Sequence, residues 1–334
     1  YERAAVLSPN NYLAWLELGK ARDRAGDDAG AEAAYSRAAI LAPSYADVQW
    51  AFGNFLVRAG RDEEGFALIS RAAASTPTLI PPAVAIAEAI FDGDQPRILA
   101  SLGGTSAVGA ALVRSAIRKR DYPAALDAWR RIPQAERRVN FVDDGRYLAS
   151  ELIGARQFIS AAEVVRDISS AGAGPQVGTI TNGGFETLDL SEKDPFEWNI
   201  GSGEGQQVGL NGDRKTGGVY SLYMIFKSVE ADRFRQVSQT VAVEPGGRYS
   251  FTGNYQGEIN GGLAWEGANA ADGKAIVRKP ALGSTPEWRE FRVDVEVPTN
   301  SSGIIIRLVR DGCTSSVCPI NGRIWFDDLK LTKQ

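Results

Sequence analysis

The sequence predicts a multidomain protein, α then β: an α-solenoid of helical repeats followed by an antiparallel β-sandwich. Three observations predict it. The first part matches itself at a shift of 34 residues, the composition switches near residue 170, and beyond that point apolar residues alternate with a period of two.

The self-match is carried by residues of several types at once. Tyr1 falls on Tyr35, Ala4 on Ala38 and Ala72, Pro9 on Pro43 and Pro77, Gly19 on Gly53, and Gly26 on Gly60. Each type has a physical role. Gly19 and Ala31 are small where two paired helices press together, while Trp15 and Tyr35 fill the space between neighbouring pairs. Gly26 ends a first helix where a left-handed residue is cheapest, and Pro43 stops the second helix. A single pair cannot bury its apolar face alone, so the pairs must stack. The expected pairs are residues 10–43, turned near Gly26, and 44–77, turned near Gly60.

Trp15, Leu18, Gly19, Gly26, Ala31, Tyr35, Ala38 and Pro43 match the tetratricopeptide pattern position by position, and the first part resembles that family. In this register Tyr1 sits mid-helix, so the first repeat is expected to be truncated. The resemblance implies a protein partner held in a concave groove lined by Lys20, Asp23, Arg24, Asp47, Trp50, Asn54 and Arg58. Trp50 is the most suggestive of these, and packing against the next pair explains it equally well.

After Pro77 the pattern weakens. Pro81, Pro82, Pro96 and Gly103-Gly104 predict short or irregular helices over 78–105. Two degenerate units follow, at 107–133 and 138–168, so the array is expected to cover about 1–170. Arg114, Arg118, Lys119, Arg120, Arg130, Arg131, Arg137 and Arg138 form a basic cluster, read as a solvated helix face, with an anionic partner as the sharper alternative.

Residues 171–177 read as a linker and 178–334 as the sandwich. Val237 to Val243 and Phe291 to Val297 alternate apolar with polar, and Gly246-Gly247 and Asn260-Gly261-Gly262 mark turns. Several short strands in this span predict an antiparallel sandwich. Thr181-Asn182-Gly183-Gly184-Phe185-Glu186 followed by Trp198, Val243 to Phe251, Trp288 to Pro298, and Gly322 to Leu331 together resemble jelly-roll carbohydrate-binding modules of families 4, 9 and 22, whose fold is of the galactose-binding-like kind. That resemblance implies a polysaccharide ligand. It also implies a structural Ca2+ tying the first strand to the last, at positions matched by Glu186 and by Asp327 or Asp328. Calcium takes six to eight oxygen ligands, so further groups would have to help, and capping of an edge strand explains the aspartates equally well.

Sugar rings are held by flat aromatic faces and a few planar polar side chains. The candidates are Tyr223, Tyr255, Trp265 and Trp288, with Asn254, Gln256 and Glu266 as polar partners. Leu222, Met224 and Phe226 form one apolar face of a strand, which leaves Tyr223 on the other. Trp198 and Trp325, in structural stretches of the resembled modules, read as core.

Composition narrows the function. The chain has 334 residues, a net charge of −4, and no histidine. The usual general base and the Ser-His-Asp triad are therefore absent, and the negative charge argues against nucleic acid as a partner. No apolar run is long enough for a membrane span. Glu258, Glu266 and Asp272 are near in sequence, but nothing pairs two of them across a cleft as glycoside hydrolysis requires. The expectation is a non-enzyme. Cys313 and Cys318, the two cysteines, read as a local disulfide and hence an oxidising compartment; two free thiols are the alternative. These readings point to a periplasmic or secreted adaptor of a bacterial envelope, by analogy in exopolysaccharide export or assembly. The alternative is a structural or assembly subunit whose two halves both contact protein.

Overall fold

The computed structural model describes residues 1–170, 174–187, 195–278, 281–312 and 318–334. The chain divides into two compact units, Tyr1–Glu136 and Arg137–Gln334.

The first unit is helical. α1 (Glu2–Leu7) precedes α2 (Tyr12–Arg24) and α3 (Asp28–Leu41), which pack as a pair, as do α4 (Ala46–Arg58) and α5 (Asp62–Ser75). Gly26 and Gly60 each stand between the helices of a pair with φ of 76°, the left-handed geometry the repeat register requires there. Side-chain caps start the helices: Asn11 accepts from the Leu13 N–H, and Asp27 accepts from the Gly30 N–H. Gly19 is small for a visible reason, since a Cβ there would lie 2.7 Å from the ring of Tyr35.

A 3-10 turn (Pro77–Leu79) leads into α6 (Ile80–Ile90) and α7 (Gln95–Leu102), then α8 (Ser106–Arg118), α9 (Tyr122–Arg131) and α10 (Gln134–Val139). The irregularity expected over 78–105 is seen in the 3-10 turn and in α7, an eight-residue helix. α6 runs for eleven residues because Pro81 and Pro82 fall in its first turn, where no intrahelical donor is lost.

The second unit begins with another packed pair, α11 (Val142–Gly154) and α12 (Phe158–Ile168). Two five-stranded antiparallel sheets follow. One has the order β1 (Asn199–Ile200), β4 (Val237–Ala242), β9 (Gly303–Asp311), β6 (Gly262–Asn269), β7 (Ala275–Arg278); the other has the order β2 (Gln206–Asn211), β3 (Ser221–Val229), β10 (Ile320–Lys333), β5 (Arg248–Asn260), β8 (Thr285–Glu296). Their inner faces enclose one core, in which Phe251 and Phe326 both meet the Trp265 ring edge-on at 5.3 Å.

α12 is bonded to this sandwich. The Phe158 N–H donates to Ser302 Oγ at 3.2 Å, and Gly303 leaves the space that the Phe158 ring fills. The compact unit therefore starts before α11, whereas composition places the boundary at about 170. Of the linker expected at 171–177, residues 171–173 lie outside the described residues.

Segment 178–183 belongs to neither sheet but is stitched to both. The Gly178 N–H donates to the Ala242 carbonyl, and the Gln239 carboxamide both accepts from and donates to the Thr181 backbone. From the other sheet, the Leu329 N–H donates to the Gly183 carbonyl.

Candidate functional site

The outer face of the second sheet gathers four of the expected ligand-binding residues. Cross-strand neighbours share a face, and Trp325 stands opposite Tyr223 on β3 and opposite Gln256 on β5, while Gly209 on β2 stands opposite Tyr223. Gly209, Tyr223, Trp325 and Gln256 thus form a row across four strands. Asn254 is on the same face, two residues from Gln256 and opposite Glu290. On β8 the inward positions Phe291, Val293 and Val295 are buried in the core, so Glu290 falls on the outer side, and Trp288 stands beside it at the register shift between β8 and β5. The Gln256 side chain donates to the Pro286 carbonyl, which spans the register shift between β5 and β8. Tyr223 and Trp288 are half-buried.

The row has an aromatic floor. The Tyr223 and Trp325 rings stack with centroids 4.8 Å apart. The Arg214 guanidinium lies 4.3 Å from the Trp325 centroid, and that of Arg323 lies 5.6 Å away. These neighbours leave Trp325 only 3% exposed. Trp325, expected in the core, is instead on this outer face, since its neighbours Ile324 and Phe326 are the ones that point into the sandwich. Arg214 lies in the turn before β3, where no periodicity marks it.

Three other candidates are placed elsewhere. Tyr255 (4% exposed) and Trp265 (0%) are core residues between the sheets. Glu266, on β6 of the first sheet, is 1% exposed and held by two arginines: Arg278 Nη2 and Arg307 Nη2 each donate to it at 2.5 Å. Burial alone would raise its pKa, but the hydrogen bonds from Arg278 and Arg307 outweigh it and hold the carboxyl below the usual range. Glu258 is also engaged, accepting from Arg323 at 3.1 Å.

Glu186, Asp327 and Asp328 converge on the loop at 216–219. Asp327 Oδ2 accepts from the Thr216 N–H at 2.6 Å, the Thr216 hydroxyl at 2.9 Å and the Gly217 N–H at 3.3 Å. Asp328 Oδ2 lies 2.8 Å from the same hydroxyl and competes with Asp327 for its one proton, while Glu186 Oε2 accepts from the Val219 N–H at 2.8 Å. The lone pairs these oxygens turn to the loop are engaged by its donors, so the arrangement does not fit a calcium cage as it stands. Among the described residues no group of three or more acidic, histidine or cysteine side chains is placed to hold a metal ion.

Cys313 lies outside the described residues, and the expected bridge with it. At Cys318 the N–H donates to Glu230 Oε2 at 2.9 Å and the carbonyl accepts from Arg310 at 2.7 Å.

In the helical unit the expected groove residues engage one another and their neighbours. Arg58 on α4 donates to Asp23 on α2 at 2.5 Å, joining first helices of successive pairs. The Tyr35 hydroxyl donates to the same carboxylate at 3.3 Å; burial first, and then the Asp23 charge, push the Tyr35 pKa up to about 12. Lys20 pairs with Glu17, the Arg24 side chain donates to the Lys20 carbonyl, and Asn54 donates to the Trp50 carbonyl. Trp50 is half-buried, and Asp47 is exposed. Within the basic cluster, Lys119 pairs with Glu88, Arg131 with Asp127 and Arg137 with Asp167. Lys119 and Arg131 are exposed, as on a solvated helix face, whereas the Arg137–Asp167 pair is largely buried; all three cations are matched by carboxylates.

No protein-family model matches the chain, and no curated protein matches it. Among solved structures it is similar to a CBM4 module, at 16% identity and a TM-score of 0.35, over 46% of this chain and 99% of that one. It is also similar to TmCBM61 in complex with β-1,4-galactotriose, at 21% identity and a TM-score of 0.32, over 46% and 96%. A third is the xylan-binding CBM22-1 domain of Paenibacillus barcinonensis Xyn10C, at 12% identity and a TM-score of 0.28, over 41% and 85%. Likeness of this degree says nothing about the ligand of the present chain.

Proposed function

We propose that the protein is a non-catalytic adaptor whose sandwich binds polysaccharide on the outer face of the β2-β3-β10-β5-β8 sheet, and whose helical array, of tetratricopeptide type, holds a protein partner. The observation that carries the polysaccharide reading is the row of Tyr223, Trp325 and Gln256 across β3, β10 and β5, with Trp288 on neighbouring β8. It combines flat aromatic surface with a planar amide in a line across the strands, the chemistry a sugar chain requires. The carboxylates weighed for hydrolysis are otherwise employed: Glu266 holds two arginines and Glu258 holds one.

Affinity electrophoresis of the full chain in gels containing plant and bacterial polysaccharides tests this. At least one polysaccharide should retard the protein, and Trp288→Ala should cut the retardation roughly tenfold, in line with a stacking contact worth on the order of 1 kcal/mol. Migration unaffected by any of them defeats the carbohydrate reading. A structural subunit contacting protein through both halves is the second reading, and burial of Tyr255 and Trp265 favours it, since two of the four candidate aromatics are unavailable to a ligand.

The cellular setting belongs to the same proposal. A Cys313–Cys318 disulfide places the protein in a periplasm or outside the cell, with exopolysaccharide export or assembly as the setting by analogy. Mass spectrometry without reductant, on protein from its native compartment, should find no alkylatable thiol; finding two rejects that placement. Calcium at Glu186, Asp327 and Asp328 would require Thr216 and Val219 to release their hydrogen bonds. A melting temperature that is the same in chelator and in calcium rejects the metal.

A further inference from the structure

The outer sheet face carries a cation that the sandwich itself does not neutralise. Arg214 has no carboxylate of the described residues within ion-pair distance, and its guanidinium lies over the Trp325 ring, 4.3 Å from the centroid. Arg323, the second guanidinium near that ring, is compensated by Glu258 at 3.1 Å. Stacking uses only the flat face of a guanidinium. Among the described residues no acceptor takes the in-plane N–H groups of Arg214, whose fork geometry matches a carboxylate. A second, independent observation lies beneath it: the indole N–H of Trp325 is buried without an acceptor. Buried donors are nearly always paired, so an orphan donor next to an uncompensated guanidinium marks a place built for an anionic acceptor. Gly209, opposite Tyr223, adds no side chain to the row, and a Cβ there would meet nothing within 4 Å, so the face stays open on this side.

Resting on the polysaccharide reading above, we infer that this face is selective for an acidic polysaccharide, with a uronate carboxylate received by Arg214. The sugar ring stacks on Tyr223 or Trp288 while the carboxylate takes the guanidinium edge. A neutral glycan leaves Arg214 without its acceptor, and the site discriminates against it because a group built to be hydrogen-bonded is left unpaired.

The test uses the full chain with three probes: polygalacturonate, the same polymer after methyl esterification, and neutral xylan. The expected result is binding to polygalacturonate that weakens as NaCl is raised, and binding to the esterified polymer roughly 10- to 100-fold weaker, the scale of a charge-assisted hydrogen bond. Arg214→Gln should remove the preference for the acidic polymer, and Arg214→Lys should restore part of it. Esterification needs no variant, so the proposal can fail even if Arg214→Gln does not fold. Equal binding to all three probes, insensitive to Arg214→Gln, overturns the acidic selectivity and leaves polysaccharide binding standing. Absence of binding to every probe overturns both.

Discussion

Glu266 shows how a single carboxylate can be misread from sequence. It stands next to Trp265 in an aromatic strand and offers itself as a sugar ligand, but its two oxygens are spent on Arg278 and Arg307. Its contribution should be visible as pH dependence. The folded pKa lies below the unfolded value, so the stabilisation is fully present above the unfolded pKa, about 4.3, and fades as pH falls through the folded value. Glu266→Gln should therefore cost about 1–3 kcal/mol at pH 7, and chemical denaturation should show the gap from wild type closing below pH 4. An unchanged gap at pH 3 would mean that Glu266 stabilises by packing instead. Trp265 makes the complementary point. Trp265→Ala should destabilise the sandwich by about 3–5 kcal/mol, as loss of a fully buried aromatic does, whereas Trp288→Ala should leave the melting transition nearly unchanged.

Among the elements, the helix pairs were the most legible. Gly26 and Gly60 have to terminate helices and Gly19 has to be small, so each position carries its own physical signature, and the 34-residue spacing multiplies them. Gly19→Leu should force α2 and α3 apart around Tyr35 and cost about 1–3 kcal/mol, read as earlier loss of the helical circular dichroism signal on heating. Melting at the wild-type temperature would remove Gly19 from the helix contact. The strands were legible only where one face is wet. β8 alternates cleanly from Phe291 to Glu296, and on β3 Tyr223 falls on the face opposite Leu222, Met224 and Phe226. β6 is buried along nearly its whole length, and Ile324-Trp325-Phe326 on β10 is buried at three consecutive positions. Where both faces are covered, alternation vanishes and the inward and outward residues look alike. Trp265 and Trp325 were exchanged between core and outer face for that reason.

At the scale of the whole molecule, composition marks where helix gives way to strand but not where the compact unit begins. The bonds that bring α12 to the sandwich join Phe158 to Ser302, far apart in the chain and silent in local pattern. Phe158 is buried against Gly303, so Phe158→Ala should destabilise the second unit by about 3–5 kcal/mol. A fragment starting at 137 should melt well above one starting at 175, in calorimetry of the two; equal melting temperatures would return the boundary to about 170. The stitched segment at 178–183 has a mechanical consequence. A pull on the chain from its helical side first loads the contacts of α12 with Ser302 and Gly303, and beyond them it meets bonds to β4 and to β10 together. The load is shared between both sheets instead of peeling one edge strand at a time, and parallel bonds must break nearly at once. The clasp therefore keeps the start of the sandwich in place even where the contacts of α12 have given way.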